Sequence, residues 1–415
     1  MSPHRRPALS RRELLAFSGA AALFGLTATS CAAPQASGRA SAAPATAPPN
    51  ASRDQPVNAG LSSPEPFGRT LAVSEGVEDY LIPSMVDASN GDYVLVYRAG
   101  TAHAFANGSD VGKLYVRSSS DEGVTFGPST AIADFAAEKL DVRDPYLFRE
   151  PDASRLWLTF FTGAPNLSGA SWIMYSDDHG GTWSAPREIV VDTLTPGGLR
   201  RSPDGLWRMP VYRKVGGYWR ASLVTAKDPL GPWSPPVDVL APTRADASEW
   251  DFAEVSPSNW IAVVRGPIHG DAFVVQSTDR GRTWSAPMVL PTPDRAMRYD
   301  AWPALRIAAD GRVLCFIRAA GGGQRLIQLF DPTKPLTPSM WGEQDGGGLL
   351  DAAPDGTCGK FQPFRRDRTW VGAYFAETAG KQAAEIRLGV FDERSLLPWS
   401  SGKVAAQAGP AGRAG

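Results

Sequence analysis

The sequence predicts an all-β fold, a six-bladed β-propeller with four-stranded antiparallel blades. Three observations predict it: a turn motif recurs along the chain, β-patterned runs precede each copy, and the composition favours turns and aromatic packing. The 415-residue chain contains 42 Gly, 36 Pro and 13 Trp, as many tight turns and aromatic-packed sheets require. Long helices are not expected.

The turn motif reads Ser-x-Asp-x-Gly-x-Thr followed by Trp or Phe. It occurs at Ser119–Phe126, Ser176–Trp183 and Ser277–Trp284. The Asp carboxylate can accept hydrogen bonds from turn amides, the Gly allows an open backbone conformation, and the aromatic side chain anchors the turn on a core. The motif therefore indicates architecture rather than chemistry.

The spacing of the motif predicts further, degenerate copies. The Asp residues of the clear copies are 57 and 101 residues apart, so another copy should lie midway in the longer interval. Thr225–Trp233 lies there and keeps Asp228 five residues before an aromatic residue. Steps of similar length reach Asp331 and Asp392, which completes six units.

Each unit also has β-patterned segments before its Asp turn. The runs directly before the turns are Lys113–Arg117, Ser171–Tyr175, Arg220–Val224, Ala272–Gln276, Arg325–Leu329 and Glu385–Val390. A turn and another strand precede each run, as in Asn90–Tyr97. Four short strands in roughly 50 residues, repeated six times, is the pattern of a six-bladed propeller.

Charge and the scarcity of metal ligands argue against several classes of function. The formal net charge is −1 at pH 7, so nothing suggests a nucleic-acid surface or a polyanion groove. The four His are scattered, and neither a metal nor a cofactor is predicted. Cys315 and Cys358 fall in neighbouring predicted blades, where a disulfide and a buried free thiol both fit the sequence.

The N-terminus differs from the rest of the chain. Residues 1–31 combine Arg11-Arg12 with the apolar stretch Leu15–Leu26 and resemble a twin-arginine export signal. The signal ends at Cys31 in a sequence similar to a bacterial lipoprotein processing site, with simple cleavage nearby as the alternative. We therefore expect an exported, extracytoplasmic bacterial protein, either secreted or lipid-anchored.

The composition also predicts the domain organisation. Residues 32–60 are rich in Ala, Pro and Ser, which is typical of a flexible tether. The six units predict a propeller over 61–401, followed by a disordered tail over 402–415. We expect the protein to be a monomer.

The repeat pattern predicts which face of the propeller holds a site. The Asp turns join third and fourth strands on one face, whereas the inner strands begin on the other. On that second face polar side chains of all six blades converge, namely Arg98, His103 and Asp110; Arg143 and Asp144; Arg213; Glu249, Asp251, Arg265 and His269; Tyr299, Asp300, Arg318 and Arg325; and Lys360, Gln362 and Glu377.

This combination of side chains suits an acidic sugar. Guanidinium groups bind carboxylates bidentately, and two spaced carboxylates can supply the acid and the base for glycosidic cleavage. The alternative for each Arg is a solvated residue at a strand end. Convergence of several blades on one place favours the binding interpretation.

The Asp turns, the six-unit period and the segment Tyr80–Met85 resemble the sialidase (neuraminidase) superfamily over roughly residues 65–400. The resemblance implies an Asp-box, or BNR-repeat, propeller that binds a substrate carboxylate through three Arg. Leu81 stands where the first of these Arg is usual. Arg265, which follows Ser248-Glu249, resembles the second, and Arg325 resembles the third.

The resemblance also implies catalytic roles. Asp110 matches the acid/base Asp in the loop before the first Asp box, and Glu249 matches the glutamate that activates the nucleophile. Arg98 and Asp144 fall where the family places substrate-binding residues, with Arg143 adding a further guanidinium. The family's nucleophilic Tyr has no counterpart in Thr357–Gln362.

The leading hypothesis is an exo-acting glycoside hydrolase of sialidase-like fold, with Asp110 as general acid and Glu249 as base or nucleophile. His103, Arg98, Arg143, Asp144, Arg265 and Arg325 are its predicted substrate-binding residues. Three alternatives remain: a true sialidase whose Tyr comes from elsewhere, such as Tyr299; a glycan-binding propeller without turnover; and a polysaccharide lyase with Tyr299 or His103 as base.

Overall fold

The computed structural model places β-strands in six antiparallel sheets arranged as propeller blades, and each prediction of a blade is confirmed. Within the described residues, helical structure is limited to 3₁₀ turns, as at Pro338–Met340. None of these segments forms a helix long and apolar enough to cross a membrane. The structure describes residues 69–72, 82–100, 111–164, 169–241, 246–267, 271–291, 299–319, 323–343, 349–351, 358–377 and 384–393.

Blades one to three each consist of four strands that follow the chain from the inner to the outer edge. Blade one contains β2 (Ile82–Asp87), β3 (Tyr93–Ala99), β4 (Lys113–Ser119) and β5 (Thr130–Ala133). Blade two contains β6 (Asp141–Arg149), β7 (Leu156–Gly163), β8 (Ala170–Ser176) and β9 (Arg187–Val191). Blade three contains β10 (Arg200–Arg201), β11 (Trp207–Val215), β12 (Tyr218–Ala226) and β13 (Val237–Asp238).

Blades four to six keep this order with two additions. Blade four contains β14 (Trp250–Glu254), β15 (Trp260–Arg265), β16 (Ala272–Ser277) and β17 (Met288–Val289). Blade five contains β18 (Tyr299–Ile307), β19 (Val313–Ala319), β20 (Gln324–Leu329), β21 (Trp341–Glu343) and the extra β22 (Leu349–Asp351). Blade six contains β23 (Cys358–Gly359) and β24 (Phe364–Arg366), followed by β25 (Thr369–Glu377) and β26 (Ala384–Asp392).

An N-terminal strand closes the ring. The strand β1 (Arg69–Ala72) pairs antiparallel with β26, so the outer strand of blade six comes from the beginning of the chain. This pairing joins the last blade to the segment that leads into the first. It satisfies the edge of β26 and resists opening of the ring.

The Asp boxes are hydrogen-bonded turns, as predicted. Asp178 accepts the Thr182 amide at 2.8 Å and the Thr182 hydroxyl at 2.7 Å, while the Ser176 hydroxyl accepts the Gly180 amide at 2.8 Å. The turns of Asp121 and Asp279 repeat these bonds with distances that agree within 0.1 Å. All three follow the third strand of a blade, and therefore share one face of the propeller.

The degenerate copies keep the turn with fewer bonds. Asp228 accepts the Leu230 amide at 2.8 Å, and the Trp233 indole donates to the Pro229 carbonyl at 3.1 Å. Asp331 accepts the Lys334 ammonium at 3.1 Å instead of a threonine. These turns occupy the same place in their blades without the Ser and Thr of the full motif.

The hydrophobic core consists of the layers between adjacent blades. One such layer packs Trp250 and Phe252 of β14 against Trp260 of β15, all three buried. Cys315 lies in another layer as a free thiol, and burial raises its pKa. For Cys315 the structure therefore supports the buried thiol rather than the disulfide; the Cys358 side chain lies outside the described residues.

The Asp boxes predict an acid-sensitive component of stability. The hydrogen bonds from Thr125 lower the pKa of Asp121 from 3.8 to about 2, and those from Thr182 do the same for Asp178. Because the folded pKa is depressed, this stabilisation is present above pH 4 and is lost as the pH falls towards 2. In thermal unfolding followed by circular dichroism, Asp178→Asn should fall less steeply than wild type between these pH values.

The exposed turn residue Asp152 provides the control, because no hydrogen bond is seen for its carboxylate in the described chain. The Asp152→Asn variant should follow the wild-type acid profile. Identical profiles for Asp178→Asn and wild type would contradict a role for the Asp box in acid stability.

Candidate functional site

Three residues with strained backbone mark the face opposite the Asp boxes. The pairing of the inner strands β6 and β18 is interrupted by bulges. Within these bulges Asp144 and Trp302 have positive φ angles of 47° and 45°, and Lys360 at the start of blade six has φ 59°. Such conformations cost about 1–3 kcal/mol each and re-aim side chains, so they often mark functional sites.

A buried carboxylate orders the blade-two side of this face. Asp141 begins β6 and accepts the Arg98 guanidinium at 3.1 Å and the Gly112 amide at 2.7 Å. Its other oxygen accepts Arg143. Gly112 allows this approach, because a Cβ there would lie 2.4 Å from Arg98 Nε. Asp141 therefore positions both predicted arginines, although the sequence analysis did not single it out.

Glu249, a predicted catalytic residue, is held by donors from blades four and five. It is 7% exposed, and its Oε1 accepts Arg265 at 2.7 Å. Its Oε2 accepts the backbone N–H of the strained Trp302 at 3.0 Å. The strand pairing adds an Arg265 amide bond to the Glu249 carbonyl at 2.8 Å. The predicted pair of Glu249 and Arg265 is therefore present, and blade five holds it in place.

Lys360 links blade six to blade two and is fully buried. Its ammonium donates to the Pro145 carbonyl at 2.9 Å and lies 3.6 Å from Asp144. Burial lowers the pKa of Lys360 to about 8, and the charges of Asp144 and Glu249 oppose that shift. Lys360 was on the predicted face, but its role as the counter-ion of Asp144 was not predicted.

Tyr212 in β11 is a member of the site that the sequence analysis missed. Burial raises the pKa of its phenol well above the ordinary value, and the charges of Glu249 and Asp144 add to this effect. Arg265 and Arg143 act in the opposite direction. The phenol therefore lies among charged groups from blades two and four and stays protonated at neutral pH. We call Arg143, Asp144, Tyr212, Glu249, Arg265 and Lys360 the charged cluster.

Blade five contributes Trp302 and Arg318 beside the charged cluster. The Arg318 guanidinium lies 4.8 Å from the centre of the Trp302 indole, which packs edge-on against Phe375. Arg325 lies near the start of β20 on the same face. Tyr299 packs in the apolar layer between blades four and five, which argues against it as a displaced nucleophile.

Two predicted residues have structural partners instead. Arg213 forms an ion pair with Asp238 at 3.0 Å, on the outer strand of its own blade. Asp251 is 1% exposed and binds Arg200, the Leu305 amide and Arg306 at the interior of the ring. Neither joins the charged cluster in the contacts described.

Several predictions concern residues outside the described part of the chain. Asp110, His103, His269 and Leu81 lie there, as do the side chains of Asp300 and Glu377. The roles of Asp110 and His103 therefore stay predictions. Within the described ranges, His, Cys, Asp and Glu form no group of three or more that could hold a metal ion.

Comparison with known proteins agrees with this architecture. A model described as a BNR repeat-like domain matches residues 133–317. A solved protein of unknown function from Dyadobacter fermentans is 16% identical, with a TM-score of 0.60 over 79% of this chain and 99% of that one. The chain therefore has a sialidase-like propeller fold, with BNR repeat-like sequence over residues 133–317. A search of curated proteins finds no match.

Two sialidase structures resemble the sialidase-like propeller in fold. Trypanosoma rangeli sialidase is 14% identical, with a TM-score of 0.57 over 79% of this chain and 58% of that one. A leech intramolecular trans-sialidase, solved with 2,7-anhydro-Neu5Ac, is 12% identical, with a TM-score of 0.60 over 81% and 71% of the two chains. At 14% and 12% identity, the similarity to these two proteins establishes the fold alone.

The buried Lys360 should make the free energy of unfolding of the sialidase-like propeller depend on pH in the alkaline range. Its pKa is about 8 in the folded chain against 10.5 for an ordinary lysine. Between these values the unfolded chain binds more protons, so the free energy of unfolding should rise with pH, by at most about 3 kcal/mol. Urea unfolding at pH 8 and pH 10 should show this rise in wild type and its absence in Lys360→Met.

A surface lysine provides the comparison for Lys360. Lys334 is 67% exposed and pairs with Asp331 at 3.1 Å. Lys334→Met should keep the wild-type rise in unfolding free energy between pH 8 and pH 10. A rise that persists in Lys360→Met would assign the alkaline effect to another group.

Proposed function

We propose that the protein is an extracytoplasmic, exo-acting glycoside hydrolase that acts on a terminal sugar. The observation that carries this proposal is Glu249, whose two oxygens are held by Arg265 at 2.7 Å and the Trp302 amide at 3.0 Å. Two donors thus hold the carboxylate in place within a cluster whose members come from four blades. The N-terminal signal supports export, with lipidation of Cys31 or cleavage nearby as the two routes.

The residues suggest a division of labour for glycosidic cleavage. Glu249 serves as base or nucleophile, because hydrogen bonds from Arg265 and the Trp302 amide fix the orientation of its carboxylate. Asp110 serves as the general acid that protonates the leaving oxygen. Protonated Tyr212 donates a hydrogen bond to the substrate, while Asp144 and Glu249 place negative charge where positive charge develops on the sugar.

The cations suggest that a carboxylate on the sugar is accepted. Arg143 and Arg265 lie in the charged cluster, and Arg318 lies beside it over Trp302. Guanidinium groups bind carboxylates more strongly than they bind neutral hydroxyls. Leu81 replaces one of the three clamp arginines of the sialidase pattern, so we propose an acidic sugar other than sialic acid, or a neutral one.

The test uses the full chain and a panel of aryl glycosides that carry neutral sugars, uronic acids and sialic acid. Release of the aryl group by wild type, and its loss in Asp110→Ala, would support the hydrolase with Asp110 as acid. Equal release by wild type and Asp110→Ala would remove Asp110 from the mechanism. Binding without release across the panel would favour a glycan-binding propeller, and an unsaturated product absorbing in the ultraviolet would favour a lyase.

A further inference from the structure

A cavity opens on the Asp-box face, between blades three and four. Its volume is about 290 Å³, and it is lined by Ser202, Pro203, Asp204, Glu254, Pro257, Trp260 and Arg280. Glu254 ends β14, whereas Glu249 precedes its start, so the two carboxylates lie at opposite ends of one strand. Five residues of extended strand separate them by about 16 Å. This cavity is therefore separate from the charged cluster.

Two polar groups at this cavity lack partners in the described chain. Glu254 Oε1 accepts the Ser202 hydroxyl, but the buried Oε2 has no hydrogen bond. Trp260 is 1% exposed, and its indole N–H is also unpaired. Buried polar groups are nearly always hydrogen-bonded, so an unpaired acceptor and an unpaired donor in the lining of one cavity favour a polar occupant.

The other charged groups at the cavity, Asp204 and Arg280, differ in how many hydrogen-bond partners they have. Asp204 accepts Arg208 at 2.8 and 2.6 Å and the Leu206 amide at 3.1 Å, so its carboxylate is already supplied with donors. The guanidinium of exposed Arg280 forms no hydrogen bond or ion pair seen among the described residues, but its charge helps to lower the pKa of Asp204. Arg280 also lines an adjoining depression of about 400 Å³ that includes Arg282.

We propose that this cavity is a carbohydrate-binding site for one sugar residue, separate from the proposed catalytic site. A hydroxyl both donates and accepts, so neighbouring hydroxyls can donate to Glu254 and accept from Trp260 and Arg280. An ammonium needs several acceptors, and the cavity has one vacant carboxylate oxygen. The volume lies at the small end of ligand sites, which range over roughly 300–1,000 Å³, and suits a monosaccharide.

Binding requires a small rearrangement at the cavity wall. The unpaired atoms of Glu254 and Trp260 are covered in the empty cavity. We expect the Glu254 carboxyl to rotate and the Arg280 side chain to move when a sugar enters. The adjoining depression gives a second sugar of the same chain a place beside Arg280 and Arg282. Such a site would hold the protein on a polymeric glycan while the other face acts on chain ends.

The experiment measures binding of D-glucose, D-galactose, N-acetyl-D-glucosamine and D-glucuronate to the full chain by saturation-transfer NMR and titration. We expect millimolar affinity for at least one sugar. Glu254→Gln, which keeps an acceptor for Ser202, should weaken that binding about tenfold or more, and so should Arg280→Ala. Arg368→Ala is the matched arginine control, because this exposed arginine lies in the turn between β24 and β25 of blade six, outside the cavity and the charged cluster. It should leave monosaccharide binding unchanged.

Three results would overturn this proposal. The first is the absence of binding by all four sugars. The second is binding that Glu249→Gln removes and Glu254→Gln leaves intact, which would place the sugar at the charged cluster. The third is binding of glycine, sensitive to Glu254→Gln, without binding of any sugar, which would show that the cavity takes a zwitterion. Because hydrolysis is measured in a separate assay, failure of the cavity proposal would not count against the glycosidase proposal.

Discussion

Glu249→Gln is expected to lower kcat/KM for glycoside hydrolysis by about 10²–10⁴-fold, the usual contribution of a positioned acid or base. Glu249 offers an acceptor to Arg265 and another to the Trp302 amide. A glutamine has one acceptor oxygen, so one of these donors then faces an NH₂ group. The substitution therefore removes both the charge and the fixed orientation of the catalytic group. Initial rates on the best aryl glycoside of the panel measure the effect.

A loss of activity in Glu249→Gln must be separated from a loss of folding. Thermal unfolding of the same preparation should show a folded protein, destabilised by about 1–3 kcal/mol because a buried donor loses its partner. Glu385→Gln is the control: this glutamate pairs with Arg387 at 3.5 Å and is 43% exposed. It should keep wild-type rates. Activity retained by folded Glu249→Gln would exclude Glu249 as base or nucleophile.

The fold could be predicted because its determinants are local in sequence. Each Asp box forms its bonds within a few residues, as from Asp178 to Thr182, so its position measures the length of a blade. The closing strand β1 could not be predicted in this way. Its partner β26 lies more than 300 residues away, and four residues at Arg69–Ala72 carry too little pattern to identify a strand.

The site could be predicted only where strand pairing determines it. Glu249 and Arg265 flank the paired strands β14 and β15, so their contact follows from the register of one hairpin. Tyr212 and Lys360 interact with charged groups of other blades, near the bulges at Asp144 and Trp302. A bulge shifts a side chain without changing the strand pattern. Asp141 was likewise not identified, because its contacts with Arg98 and the Gly112 amide join residues that are far apart in the sequence.

Asp251→Ala is expected to cost about 3–5 kcal/mol of unfolding free energy, because it leaves buried cations without their carboxylate. Asp251 is 1% exposed and binds Arg200 of blade three, the Leu305 amide at 2.8 Å and Arg306 at 3.4 Å. Arg306 in turn donates to the Tyr146 hydroxyl at 2.9 Å and the Pro363 carbonyl at 2.7 Å. One carboxylate thus orders contacts among blades two to six.

Urea unfolding compares Asp251→Ala with Asp310→Ala, which removes a carboxylate from an arginine pair of similar geometry. Asp310 accepts Arg312 at 2.7 Å but is 54% exposed, so solvent screens the pair and its loss should cost less than about 1 kcal/mol. Equal costs for the two variants would contradict the interior role of Asp251. Asp251 is two residues from Glu249 in the sequence, so loosening of its contacts should also lower the rate of hydrolysis. Asp251→Asn keeps an acceptor for the Leu305 amide and should therefore lose less unfolding free energy and less hydrolysis than Asp251→Ala.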